Sequence, residues 1–181
     1  KEWEGVCAAL ASGEQHLILR KGGIHEGRQG FSFKHERFVL FPTRFHAQAG
    51  QLRMDFEVSG EEWQVGDVVP ITLMAEAVWA ETLTDWETVQ QLEPFHPWTE
   101  GVVRERFQWG EGESIHCALV RVWKSARPWA IPYEKKHGGC RSWLELPEPP
   151  AWWKESLVPV VADETFTEVR GTLEQLVQSP R

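Results

Sequence analysis

The chain has 181 residues, 41% of them hydrophobic, with modest glycine and proline, which excludes a low-complexity chain and suffices for one folded domain or one domain with an appendage. Its longest apolar runs are too short to cross a bilayer, and no amino-terminal targeting segment is visible. A net charge of −8 argues against indiscriminate nucleic-acid binding.

In chain order, residues 3–12 (WEGVCAALAS) set Val6, Ala9 and Leu10 on one side among good helix formers, and Gly13 ends the pattern, so a helix stopping there is predicted. HLILR (16–20) reads as a strand running into a Gly22-Gly23 turn. FSF (31–33) and RFVLF (37–41) read as short strands halted by Pro42, and PTRFHAQAG then opens a helical turn with proline at its first position. Residues 51–58 alternate, with Leu52, Met54, Phe56 and Val58 on one face, as a half-buried strand does. A Gly66-Asp67 turn leads into a long strand within 63–79. TLTDWETVQQL (82–92) predicts a helix capped by Thr84 or Asp85, and 96–109 a second one, with Pro97 near its start and Thr99 as cap. IHCALVRVW (115–123) is the strongest strand, and SWLEL (142–146) a shorter one ended by Pro147. Residues 147–159 read as a proline-rich strap, and 163–179 as an amphipathic helix interrupted at Gly171. Helices and strands follow no regular βα alternation, so the expected class is α+β around a small, mostly antiparallel and barrel-like sheet.

Charge is unevenly distributed. Residues 1–53 carry a net +3, 54–118 a net −12, 119–143 a net +5 and 144–181 a net −4. Joined by the fold, the two positive segments would make a basic face on an acidic protein; solvated charge scattered over the surface is the simpler alternative. Eleven tryptophans exceed what a core this size needs, so aromatic contact surfaces are expected beside the core. The three cysteines, Cys7, Cys117 and Cys140, are odd in number and widely spaced, which suits reduced thiols and a cytoplasmic location.

Catalytic constellations are weak. His116-Cys117 with His137 and Cys140 lacks finger spacing, and neighbours on a strand point to opposite faces, so no metal site is expected. A metal-dependent nuclease needs carboxylates near a lysine; Glu134 and Lys136 make such a pair, with Asp67, Glu76 or Asp85 upstream and Glu26 as a further carboxylate. That pair sits between Pro132 and two glycines, where a solvated loop is the plainer reading. Ser142 and Cys140 lie near His137 without a nucleophile elbow, and KGGIHEG has neither phosphate-loop nor dinucleotide spacing. What remains is a binding face. Arg20, Lys21, Arg28, Lys34, Arg37 and Arg44 fall in the first basic segment. Arg121, Lys124, Arg127, Lys135, Lys136 and Arg141 fall in the second, among Trp123, Trp129 and Trp143. Cations neutralise phosphates and aromatic faces stack on unpaired bases; the alternative is that these tryptophans are core.

The order AALASGEQHLILRKGGIHE, FVLFPTRFH, HPW, RERFQW, LVRVW and GCRSW resembles a bacterial family known as domain of unknown function 1802, from about Trp3 to Leu146. The family's PTxxHQ pattern departs here, with Ala47 after His46 and glutamine following as Gln48. The resemblance implies a link to restriction systems, because the domain occurs beside Mrr-type restriction endonuclease domains, although no such nuclease domain is evident in this chain. More loosely, ALASGEQHLILR, VGDVV and the strand CALVRVWKSARP are similar in order to the PUA-like superfamily, which includes ASCH and EVE domains. That likeness implies a small barrel with flanking helices that holds RNA or an extruded, modified DNA base.

The expectation is therefore a PUA-like domain over 1–146, with a proline-rich strap and carboxy-terminal helix over 147–181 packed on it. It would serve as a nucleic-acid recognition module, DNA ahead of RNA, in a restriction, defence or DNA-processing setting. Arg20, Lys21, Arg28, Arg44, Arg121 and Arg141 would contact phosphate or a base edge, Gly22 and Gly23 would shape the loop, and His25, His46, Trp98 and Trp143 would line the pocket. No cofactor, metal or membrane contact is expected, and a restriction endonuclease subunit is a candidate partner. A small metal-dependent nuclease or hydrolase using Glu26, Glu134 and Lys136, and a protein-interaction subunit, are the alternatives.

Overall fold

The computed structural model describes residues 1–21, 33, 35–44, 49–54, 61–109, 112–139 and 141–178. Its strands are β1 (Glu2–Trp3), β2 (Leu17–Arg20), β3 (Arg37–Val39), β4 (Pro42–Thr43), β5 (Val68–Leu83), β6 (Ile115–Pro132) and β7 (Leu157–Pro159). Its α-helices are α1 (Glu4–Ser12), α2 (Trp86–Gln91), α3 (Glu100–Phe107), α4 (Ala151–Glu155) and α5 (Asp163–Gln178). Short 3-10 turns cover Ala49–Gln51, Glu93–Phe95 and Lys135–His137.

The alternation in β5 is what builds the sheet. Val69, Ile71, Leu73 and Ala75 are buried at every second position, so one face of the strand is committed to the interior. β5 pairs antiparallel with β6 from Val68↔Pro132 to Leu83↔Ile115, with register shifts at 71/73 and 77/79 that bend the ribbon. The strand order is β2-β6-β5-β3, with β7 joining β6 at Trp123–Ser125, beyond the stretch of β6 that pairs with β2. A separate parallel pair joins β1 to β4.

Two cores sit along this ribbon. The larger one gathers α1, β2, α2, α3 and α5 around the β2-β6-β5 region, with Leu17, Leu19, Leu92, Trp98, Ile115 and Leu119 sealed from solvent. The smaller one, Phe41, Val69, Ile71, Trp129, Ile131 and Trp153, lies toward the other end of the ribbon. Residues beyond Leu146 belong to both cores: Trp153 donates from Nε1 to the Ile71 carbonyl at 3.0 Å, and Phe166 and Leu173 fill the larger one. α1 ends where Gly13 turns left-handed (φ 78°) and donates back to the Leu10 carbonyl. A Cβ there would stand 2.7 Å from Val161, so the glycine also lets the strap lie against the helix end.

The α+β class and the mostly antiparallel sheet stand. The barrel does not: among the described residues the sheet is open, because β3 on one edge and β2 with β7 on the other do not pair. Several local expectations are also corrected. Pro42 lies inside β4 rather than opening a helix, and 49–51 is a 3-10 turn, not part of a strand. The helix expected from 82 begins at Trp86, with Asp85 as its cap accepting from Thr88 N at 2.8 Å, while 82–83 still belongs to β5. β6 runs nine residues further than its hydrophobic signal. Residues 142–146 form no strand; Leu144 and Leu146 pack on the smaller core and Trp143 packs edge-on to Phe38 instead. α5 continues unbroken through Gly171.

Candidate functional site

The pairing of β1 with β4 fixes a carboxylate inside the protein. Glu2 is sealed from solvent, its Oε1 accepts from Trp3 N at 2.9 Å, and its Oε2 lies 2.9 Å from Arg20, the last residue of β2. Arg20 also donates to the Lys1 carbonyl. From α3, Arg106 reaches the Leu19 carbonyl at 3.1 Å and lies between the rings of Trp3 and Trp98, 4.8 and 4.5 Å from their centroids. Burial lowers the Arg106 pKa to about 10, opposed by the Glu2 carboxylate, so the guanidinium stays charged at neutral pH.

β6 then delivers Tyr133 and the 3-10 turn Lys135–His137. His137 is buried, and its Nδ1 accepts from Glu134 N at 3.0 Å. That bond leaves the ring proton on Nε2, which has no partner among the described residues. Burial pushes the His137 pKa down, Glu134 opposing and Lys136 and Lys1 reinforcing, so the ring is held neutral. The following carbonyls are tied down by Lys1, whose Nζ takes His137 at 3.2 Å, Gly138 at 3.5 Å and Gly139.

Two cavities open on either side of this wall. The larger, about 780 Å3, is walled by aromatic rings, among them Phe33, His35, Phe38, Phe41, Trp129 and Trp143. Trp143 stands edge-on to His35 (5.1 Å, 77°) and to Phe38 (5.2 Å, 90°), an arrangement that fixes the indole in place. Arg20, Arg37, Lys136 and Arg141 supply its cations. The smaller, about 690 Å3, is bounded by Trp3, Trp63, Tyr133, Lys21, Arg44 and Arg106, with Glu2, Glu62 and Glu105. Lys1, Arg20, His137, Arg141 and Ser142 border both.

The structure thus brings Arg20, Lys21, Arg44, Arg141 and Trp143 to adjoining cavities, joining the two basic segments. Most of these cations are already engaged. Arg20 is paired with Glu2, and Arg44 with Glu4 at 2.8 Å while lying 3.6 Å over Trp63; Arg37 is paired with Glu76 at 2.6 Å and Lys136 with Glu134 at 3.0 Å. Lys21 lies 3.7 Å over Trp109. Arg141 is exposed and carries no ion pair among the described residues.

Two expected site residues lie elsewhere. Trp98 is fully buried in the larger core, where the bridge Leu52↔Trp98 and the Arg106 guanidinium hold it inward, so it lines neither of these cavities. Arg121 borders neither cavity; it is paired with Asp163 and covers Phe166 (5.2 Å), fastening α5 to the sheet. Gly22, Gly23, His25, Glu26, Arg28 and His46 fall outside the described residues. Glu134 pairs with Lys136 and its side chain accepts from the His137 backbone, and no cluster of three or more metal-ligating groups exists among the described residues. His116 contacts Thr82 Oγ1 at 2.9 Å and Cys117 is buried with its pKa pushed up, so they serve the sheet. Sequence reasoning passed over Glu2, Arg106 and Tyr133, and met His137 only as a metal or base candidate. Among the described residues no helix is long and apolar enough to cross a membrane.

No curated protein and no solved structure matches the chain. The family model described as Domain of unknown function (DUF1802) matches residues 1–172, which takes in β1 through most of α5 and both cavities. The chain belongs to that family.

Proposed function

We propose that the protein recognises nucleic acid by receiving an unpaired or extruded base in the larger cavity. The observation that carries this reading is a half-open, aromatic-lined cleft of about 780 Å3 whose lining includes Arg141, a guanidinium without an acidic partner among the described residues. Trp143, His35 and Phe38 line the cleft as rings that would receive a base, and Arg141 would meet its phosphate. A concave, ring-lined cleft suits a base better than a flat protein epitope. A restriction or DNA-processing setting, with DNA ahead of RNA, completes the reading.

Titration with short single-stranded oligonucleotides, unmodified and base-modified, across a salt series tests it, with intrinsic tryptophan fluorescence as readout. Binding should appear at low salt, and Trp143→Ala and Arg141→Ala should each weaken it about tenfold, the range of one stacked base or one charge-assisted contact. Absence of binding at low salt, or indifference to both substitutions, would sink the proposal. Divalent-metal-dependent cleavage lost in Glu134→Ala would replace it with a hydrolase reading.

A further inference from the structure

The two cavities are not independent, since Arg20, His137, Arg141 and Ser142 border both. The wall between them is held by the protein itself: Lys1 N bonds the Ser142 carbonyl at 2.6 Å, and Glu2 clamps Arg20 from behind. Within this wall, the Arg141 guanidinium has no ion-pair partner, and the buried His137 Nε2–H has no acceptor, among the described residues. Among the described residues neither has a protein acceptor, and the His137 donor is also shut off from solvent. A buried donor left without an acceptor is disfavoured, so a ligand oxygen delivered beside it is worth more than one met at the surface.

We propose that the cavities form one bipartite site for two consecutive nucleotides of a single strand, with the linking phosphate at the Arg141–His137 wall. This rests on the base-binding reading of the larger cavity. The 5′ neighbour enters the smaller cavity beside Tyr133, where Lys21 at its edge meets the next phosphate. A neutral Nε2–H and a guanidinium both suit a phosphodiester, which offers acceptors only. The acidic groups of the smaller cavity disfavour a run of closely spaced phosphates, which limits the footprint to about two nucleotides.

Calorimetric titration with oligothymidylates of one, two and four nucleotides, each bearing a 5′-phosphate, tests this. Affinity should rise about tenfold from one nucleotide to two, the contribution of one further stacked base, and little from two to four. A two-nucleotide probe abasic at one position carries the same phosphates and should lose that gain. Lys21→Ala should bring the dinucleotide toward the mononucleotide's affinity. Equal affinity for one and two nucleotides, or an abasic probe as good as the intact one, overturns the bipartite site while leaving the base pocket standing. No binding of any probe overturns both.

Discussion

Glu2 carries a carboxylate with no access to water, held by Arg20 at 2.9 Å and by Trp3 N at 2.9 Å. Arg106 is buried close by, and its charge is raised in favour by the same carboxylate. Removing the anion leaves two cations in the interior with only carbonyls to meet them. Glu2→Ala should therefore cost about 3 kcal/mol in urea unfolding, as broken buried pairs do. Arg106→Ala should cost a similar amount, because the Leu19 carbonyl and two indole faces lose their partner. His96 is the second charge-sensitive residue. Burial, with Arg53 and Arg106 nearby, lowers its pKa to about 3. The unfolded chain takes up a proton near pH 6.5, the native ring only near pH 3, so stability falls as pH drops through that window. Between pH 7 and 4.5 the wild type should lose about 2–3 kcal/mol that a His96→Phe variant does not, read from urea midpoints at both pH values.

At the scale of elements, the strap after Leu146 is part of the fold. Trp153 is fully buried, bonds the Ile71 carbonyl and lies 6.0 Å from Trp129, and β7 extends the sheet. Trp153→Ala should lower stability by about 3–5 kcal/mol, with one cooperative transition; an unchanged urea midpoint would mean that the strap is dispensable. Why some elements could be read from the sequence and others not follows from range. β5 and α1 declare themselves through local periodicity, and α1 also through its terminal glycine. β1 and β4 have two residues each and exist only by pairing with one another, 40 residues apart, so no local pattern marks them. β6 outruns its apolar signal because Pro128 lies beyond the stretch paired with β7, so no ladder bond on that edge is lost to its missing N–H. Residues 142–146 have strand-like composition, but Trp143 packs on Phe38 and Leu144 and Leu146 on the smaller core, so side-chain contacts hold them where composition pointed to a ladder. The basic residues of the site were visible as charge. Their engagement by Glu2, Glu4, Glu76 and Asp163 was not, because every partner lies 39 or more residues away except Glu2, which is 18 from Arg20.

Over the whole molecule, the balance of 27 acidic against 19 basic residues decides how phosphate would be held under the proposed function. A protein that grips nucleic acid by a broad cationic face releases many counterions and binds with a steep salt dependence. Here Arg20, Arg37, Arg44, Arg121, Lys136 and Lys154 are ion-paired within the fold, and Lys1 and Arg106 are tied to backbone carbonyls, which leaves Arg141 and Lys21 as the exposed cations at the cavities without an acidic partner among the described residues. Two phosphate contacts on a single strand correspond to a slope of log affinity against log salt of about −1.4. Fluorescence titration between 50 and 200 mM salt, on the order of the usual range, should give that shallow slope and a further reduction by about 0.7 in Arg141→Ala. A slope steeper than about −3 would mean that paired arginines leave their carboxylates to meet the strand. The internal ion pairs would then be a reserve of cations, not part of the scaffold. With the shallow slope, affinity would reside in the rings of the larger cleft and the donors at the wall, and the net negative charge would turn away nucleic acid that offers only its backbone.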